Sequence, residues 1–105
     1  MTNYRMEIIF NTDDIDEDKI EAMAQKISDV AVKKCFLVEY KNGILKISGT
    51  GKKDDFANIG TIISVLKKKD WFASSVFRWL FYDSENGVED LAYRYHFKSA
   101  QWIKE

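Results

Sequence analysis

The chain has 105 residues, of which 46% are hydrophobic and 31% are charged, and its formal net charge is −1. This composition is typical of a globular domain and excludes a disordered chain. No apolar run approaches the roughly 20 residues of a membrane span, so we expect no membrane partner. The single cysteine, Cys35, excludes an internal disulfide and favours a reducing, cytoplasmic setting.

The charges are unevenly distributed along the chain. Residues 11–32 carry seven acids and two bases, whereas residues 33–69 carry nine bases and three acids. A near-neutral total argues against a surface dedicated to nucleic acid, but the segregation leaves room for one basic face.

The first two predicted elements are a strand and a helix. Tyr4–Phe10 alternates between the two sides of a strand, with Tyr4, Met6, Ile8 and Phe10 on one face. Acids then precede an apolar stripe at helical spacing, which extends to about residue 33. The stripe consists of Ile20, Met23, Ala24, Ile27, Val30 and Ala31.

A β-hairpin is predicted at Asn42-Gly43, because this dipeptide favours a two-residue turn. The turn fixes how Phe36–Lys41 pairs with Ile44–Gly49. Glu39 then lies opposite Lys46, which is an attractive cross-strand pair. The same register pairs Lys41 with Ile44, Tyr40 with Leu45 and Val38 with Ile47.

A second helix is predicted after Gly49-Thr50-Gly51. It begins at Asp54 or Asp55 and ends at Lys67-Lys68-Lys69, where cations suit the negative end of the helix dipole. Its apolar stripe consists of Phe56, Ile59, Ile62, Ile63 and Leu66.

The last third of the chain is rich in aromatic residues. Val76–Tyr82 and Leu91–Phe97 alternate around Asn86-Gly87, which predicts a second hairpin, here called the aromatic ribbon. A two-residue loop would pair Tyr82 with Leu91 and Val76 with Phe97. This register would also place Asp83 opposite Asp90, which is a like-charge pair, so a longer loop through Ser84–Glu89 stays an alternative. In this register Val76, Leu80 and Tyr82 face the helices, whereas Phe77, Trp79 and Phe81 face outward.

Two further segments are ambiguous in the sequence. Residues 70–82 could begin as an extension of the second helix, because their apolar side chains occupy every side. Ser99–Glu105 is predicted to be a short helical or frayed tail.

The element order is therefore β-α-β-β-α-β-β. Its first six elements have the order of the ferredoxin-like split βαβ fold, in which both helices cover one face of an antiparallel sheet. The last strand extends this sheet as a hairpin, and right-handed crossovers favour the arrangement. We expect one α+β domain over residues 1–105, without a linker.

Motifs for metal and phosphate binding are incomplete. Asp14, Asp16 and Asp18 have the spacing of a calcium loop, but Lys19 and Gln25 occupy its glycine and glutamate positions. The run 49–53 lies between a strand and a helix, as phosphate loops do. A phosphate loop would need Ser or Thr directly after Gly-Lys and another glycine five residues earlier, and this run has neither.

Catalytic signatures are equally weak. Cys35 and His96 are the only thiol and the only imidazole, and nothing in the sequence brings them together. No serine or carboxylate has a positioned base. We therefore predict no catalytic residue, no cofactor and no metal site.

The outward face of the aromatic ribbon is interpreted as a protein-binding surface. Trp79 beside Arg94 would form a cation–π pair, and both residue types are frequent hot spots of interfaces. The acids at the start of the first helix would steer a basic partner. The predicted partner-binding residues are Phe77, Trp79, Phe81, Arg94, His96, Asp13, Asp14, Asp16 and Asp18. The predicted function is a small non-enzymatic interaction module of the inhibitor, immunity or antitoxin type.

Two alternatives stay open. The clusters Lys33-Lys34, Lys52-Lys53 and Lys67-Lys68-Lys69, together with sheet aromatics, would suit a nucleic-acid-binding module. A homodimer of ferredoxin-like domains could instead enclose a small-molecule or enzymatic pocket.

Overall fold

The structure is a computed structural model that describes residues 3–97. These residues form an α+β architecture with a five-stranded antiparallel sheet and four helices. The elements are β1 (Tyr4–Phe10), α1 (Glu17–Lys33), β2 (Leu37–Lys41), β3 (Ile44–Ser48), α2 (Asp55–Leu66), α3 (Asp70–Ala73), β4 (Val76–Asp83), β5 (Gly87–Asp90) and α4 (Leu91–Arg94). The predicted tail at Ser99–Glu105 lies outside the described residues.

The strands are arranged in the order β2-β3-β1-β4-β5. Helix α1 follows β1, and helix α2 follows β3. Because β1 and β3 are antiparallel, the two helices also run in opposite directions across the sheet. The end of α1 therefore lies on the same side of the molecule as the start of α2, where Gly49 N–H donates to the Tyr4 carbonyl at 2.9 Å.

The hairpin at Asn42-Gly43 is confirmed, with every predicted pair in place. Both turn residues have positive φ, 50° and 79°, as a type I′ turn requires. Glycine has a second role here, since a side chain at Gly43 would meet the methyl group of Thr12.

The core lies between α1, α2, α3 and one face of the sheet. Met6 and Ile8 of β1 are fully buried on this face, whereas Arg5 on the opposite face is exposed. Most of the predicted helical stripes are buried; Val30 and Phe56 are exposed instead. The buried members are Ile20, Ala24, Ile27 and Ala31 of α1 and Ile59, Ile62 and Leu66 of α2.

Strand β4 contains a bulge that the sequence did not indicate. Phe10 pairs with Val76, but the neighbouring Ile9 pairs with Arg78, so Phe77 is an extra residue. Val76 faces the core, as expected. Beyond the bulge the two faces exchange, because side chains alternate with a period of two.

The predicted outward orientation of Trp79 and Phe81 is therefore wrong. Trp79 is 0% exposed, and its ring lies 4.9 Å from that of Phe72, centroid to centroid. Phe81 is half-buried and stacks on Tyr4 at 5.9 Å. Leu80 and Tyr82, which were expected under the helices, share the opposite face with Arg5 and Glu7.

The second strand of the predicted aromatic ribbon is also wrong. Strand β5 ends at Asp90, and Leu91–Arg94 forms α4 instead of a strand. Tyr82 pairs with Val88 rather than with Leu91. The Asp90 carboxylate caps α4 by accepting the N–H of Ala92 at 3.0 Å.

Candidate functional site

The residues predicted to form a partner-binding ribbon do not share one surface. Trp79 is buried, and Phe77 and Phe81 are half-buried. Arg94 and His96 are exposed on α4 and just beyond it. The ribbon face therefore does not exist as a continuous aromatic surface.

The predicted cation–π pair between Arg94 and Trp79 is replaced by other contacts. The Arg94 guanidinium forms an ion pair with Glu89, with Nη1 and Oε2 3.0 Å apart. It also lies 5.8 Å from the ring centroid of Tyr95. These are exposed contacts, which contribute little to stability.

The acidic residues before and within the start of α1 lie at the surface. Asp13, Asp14, Asp16 and Asp18 are all exposed, and Asn11 donates to Asp14 at 3.0 Å. Within residues 3–97, no group of three or more His, Cys, Asp or Glu side chains is arranged to hold a metal ion.

The loop at residues 49–53, which lies where phosphate loops do, donates hydrogen bonds to a carboxylate of its own chain. Asp55 is buried and accepts hydrogen bonds from Thr50 Oγ1 at 2.5 Å and from Gly51 N–H at 2.8 Å. A Cβ atom at Gly49 would lie only 2.7 Å from Asp55 Oδ2. The donors that a phosphate would need thus already serve Asp55.

Cys35 and His96 occupy equivalent positions at the ends of two different helices. Each has positive φ, 67° and 58°, and each is the left-handed residue of a Schellman motif. Cys35 leads into β2, whereas His96 follows α4, which packs on β4. Three strand spacings, about 14 Å, separate β2 from β4, so the structure does not form a Cys–His pair.

The depression beside His96 has no acid–base arrangement. Asp70 is the one carboxylate among its described lining residues. The Ser74 hydroxyl in the same depression donates to the backbone carbonyl of Asp70 at 2.9 Å. Neither group is positioned as a base for the other.

The lysine clusters lie at two opposite ends of the helix layer. Lys67-Lys68-Lys69 follows α2, while Lys33-Lys34 and Lys52-Lys53 lie near the start of α2, because the helices are antiparallel. The open sheet face has no ring on β1 or β3, and its Tyr82 ring is covered by the Arg5 guanidinium at 4.1 Å. The described residues of the open sheet face thus do not combine the lysine clusters with stacking rings in the way that the nucleic-acid alternative requires.

A concave apolar surface lies instead between α1 and α2. This helix groove has a volume of about 260 Å³ and is open to solvent. Its lining residues are Lys26, Ile27, Val30, Thr61, Ile62, Val65, Leu66, Lys69 and Trp71. The buried Ile27, Ile62 and Leu66 form its floor, while Val30 and Val65 remain 46% and 49% exposed.

The charged side chains among the described lining residues of the helix groove are two lysines, Lys26 and Lys69. Lys26 Nζ lies 5.4 Å from the ring centroid of Trp71, which is half-buried at the same end. A shallower depression along α2 shares Val65 and Lys69 with the groove and adds Lys68.

One sequence signal indicates this site in retrospect. The eleven residues from Phe56 to Leu66 contain no charge, although they form a helix at the surface. A solvated surface helix normally carries charged residues on its outer face. The apolar stripe predicted for this helix covers only its buried side, and the absence of charge on its outer side is the signal that indicates the groove.

Comparison of the chain with protein-family models, curated proteins and solved structures found no match. Among the helices of residues 3–97, none combines the length and the apolar character that crossing a membrane would take. A functional assignment therefore depends on the geometry of the chain's own surface.

Proposed function

We propose that the chain is a non-enzymatic protein-interaction module that binds an apolar segment of a partner protein in the helix groove. The observation that carries the proposal is the groove itself, with Val30 and Val65 about half exposed beside the uncharged run Phe56–Leu66 of α2. Exposed apolar surface rimmed by charged residues is characteristic of interaction sites. The proposed role is of the inhibitor, immunity or antitoxin type. Its binding surface is the helix groove and not the aromatic residues of β4.

The dimensions of the helix groove favour a protein segment over a small molecule. Its volume of about 260 Å³ lies below the roughly 300–1,000 Å³ of ordinary ligand pockets. Apart from its two lysines, Thr61 is the one polar residue of the described lining, so the groove lacks convergent groups that would orient a small ligand. Apolar side chains of a partner would fill it without such groups.

We also propose that the domain has the ferredoxin-like split βαβ arrangement. The order β2-β3-β1-β4, with one helix after β1 and another after β3, supports this assignment. Strand β5 then extends the sheet beyond β4. We propose a reducing, cytoplasmic setting, which the single exposed Cys35 supports.

The proposed function is tested by comparing two valine substitutions in an affinity purification from cells of the source organism. Val65→Glu places a charge in the helix groove, whereas Val32→Glu alters an exposed valine of α1 outside it; Val32 is 59% exposed. Bound proteins are identified by mass spectrometry, and a retained protein is then purified and titrated against each variant.

The proposal predicts a partner whose dissociation constant rises at least about tenfold for Val65→Glu, because a charge would be buried at the interface. Val32→Glu should stay within about twofold of the unmodified chain, as expected for a substitution outside the contact. Recovery of no specific protein, or equal loss with both variants, contradicts the proposal. Circular dichroism of both variants checks that the fold is retained.

A further inference from the structure

We infer that the segment bound in the helix groove is an amphipathic α-helix flanked by acidic residues. This inference rests on the proposed function, since it names the partner of the same groove. It depends on the shape of the groove, on the charges around it and on the poor fit of a second copy of this chain.

The shape of the groove suits a third helix. It lies between two antiparallel helices, so a helix placed along it would insert a row of side chains spaced i, i+3, i+4 and i+7. The exposed side of α2 has small residues beside the groove at Ala57, Gly60 and Ser64. Apart from the adjacent backbone of α2, no atom of residues 3–97 lies within 4 Å of the position that a Cβ would take at Gly60. A partner backbone can therefore approach α2 closely.

The charges around the groove select an acidic partner. Lys26 on α1 and Lys69 after α2 lie on its two walls, and Lys68 lies beside it. Two exposed acids lie close by, Asp29 beside Val30 and Asp70 between Lys69 and Trp71, but neither is among the described lining residues. Complementary charges at the rim of an interface favour association and reject partners of like charge. Acidic residues on both flanks of the bound helix would meet these lysines.

A second copy of this chain that pairs through its own α2 fits the same surface poorly. If two α2 helices packed antiparallel, Lys68 and Lys69 of one would approach Lys52 and Lys53 of the other. These four lysines would meet two exposed acids there, Asp54 and Asp70, since Asp55 is buried. If the helices packed in parallel, Lys69 would approach its own equivalent. Like charges are opposed in either arrangement.

The test is a selection from a displayed library of helical peptides about 15–20 residues long, a length at which helices become stable. An apolar stripe at i, i+3, i+4 and i+7 is held constant, and the flanking positions are randomised equally among acidic, basic and neutral residues. Peptides are selected on the unmodified chain, and those retained equally by Val65→Glu are discarded. Size-exclusion chromatography of the unmodified chain is run in parallel.

The inference predicts that the selected helices carry Asp or Glu on both flanks. Selection of helices with neutral or basic flanks overturns it while leaving the proposed function intact. Failure to select any helical peptide that depends on Val65 also overturns the inference, whereas the proposed function is contradicted by the affinity purification with Val65→Glu and Val32→Glu. A dimer of the unmodified chain that Val65→Glu dissociates identifies a second copy as the occupant and likewise overturns the inference.

A charge exchange then tests the selected contact directly. Lys26→Glu combined with Lys69→Glu should weaken binding of a selected acidic peptide by about tenfold or more, because attraction becomes repulsion. Replacing the flanking acids of the peptide with lysine should restore affinity for this double variant. Lys33→Glu combined with Lys34→Glu reverses two charges at the far end of the helix layer; this matched control should change binding by less than about twofold. Equal effects of the two double variants would indicate a general charge effect and overturn the specific contact.

Discussion

The carboxylate of Asp90 accepts the backbone N–H of Trp79 at 3.1 Å, across the end of the sheet. The same oxygen accepts the N–H of Ala92 at 3.0 Å. Asp90 is the last residue of β5 and pairs with Leu80. The Asp90 side chain thus satisfies a backbone N–H of β4 beyond the last pair of residues between β4 and β5. It also caps the first turn of α4.

We expect Asp90→Ala to lower the free energy of unfolding by about 1–3 kcal/mol, because it removes a helix cap and leaves a partly buried N–H without its acceptor. Asp90→Asn keeps an acceptor oxygen and loses mainly the charge contact with Arg78, whose Nε lies 3.6 Å from Oδ2. Asp90→Asn should therefore lower the free energy of unfolding by clearly less than Asp90→Ala does. Urea denaturation measures both. Equal losses, or a change below about 0.5 kcal/mol for Asp90→Ala, would show that the carboxylate does not stabilise this junction.

The parts of the fold that could be predicted are those set by neighbouring residues. Asn42-Gly43 determines both the turn and the register of the first hairpin, because it places two positive-φ residues between two strands. Helix α1 follows from acids at its start and a stripe at helical spacing, and it ends at the predicted residue, Lys33. Neither prediction needs information from a distant part of the chain.

The aromatic ribbon could not be predicted because its geometry depends on distant contacts. The bulge at Phe77 reverses every later side chain of β4, and it places Trp79 against Phe72 and Phe97. The alternation after Asp90 also fits a short helix, in which Leu91 and Tyr95 lie one turn apart. A period of two cannot distinguish these cases when a segment is so short.

The candidate site was missed for a related reason. The helix groove is formed by residues of two helices that lie about 35 positions apart in the sequence, and its valines belong to different apolar patterns. Helical spacing predicts that Val30 belongs to a buried stripe, whereas it is exposed beside the groove. The uncharged run Phe56–Leu66 was the one local indication, and it does not reveal which helix lies beside it.

Trp79→Ala is expected to lower the stability of the fold, because Trp79 is buried in the core and does not belong to an exposed binding surface. It should lower the free energy of unfolding by about 3–5 kcal/mol, since it empties a large volume in the core. Tyr93→Ala removes a ring that is 52% exposed and should cost less than about 1 kcal/mol. Denaturation of the two variants side by side provides the measurement. A small loss for Trp79→Ala would contradict the buried position of this ring.

Substitution by alanine should change stability in opposite directions at two glycines, Gly49 and Gly60. Gly49→Ala brings a methyl group against Asp55 Oδ2 and to 3.0 Å from the Tyr4 carbonyl oxygen, so we expect a loss of about 1–3 kcal/mol. Gly60→Ala adds a methyl group in open space within α2 and should raise stability by about 0.5–1 kcal/mol. Thermal unfolding of both variants tests this contrast. If Gly49→Ala were as stable as the unmodified chain, the loop around Asp55 would not be closely packed.

Stability at high pH should depend on Tyr40. Burial raises the pKa of this phenol above its ordinary value of 10.0, and the charges of Glu21 and Glu17 on α1 raise it further, against an opposing hydrogen bond from the Gly43 backbone. The unfolded chain therefore loses this proton at a lower pH than the folded chain does. The resulting stabilisation is complete below pH 10 and is lost as the pH rises through the raised pKa.

The Tyr40 titration can be followed by NMR of its labelled ring carbon, and stability by urea denaturation from pH 9 upward. Tyr40→Phe should remove part of the decline in stability above pH 10, because no proton remains to be lost at this position. Glu21→Gln should lower the pKa of Tyr40 toward 10.0, since one repulsive charge is gone. Glu89→Gln, on the far strand β5, is the control and should leave the Tyr40 titration in place. A Tyr40 that titrates at or below 10.0 in the folded chain would contradict its burial between β2 and α1.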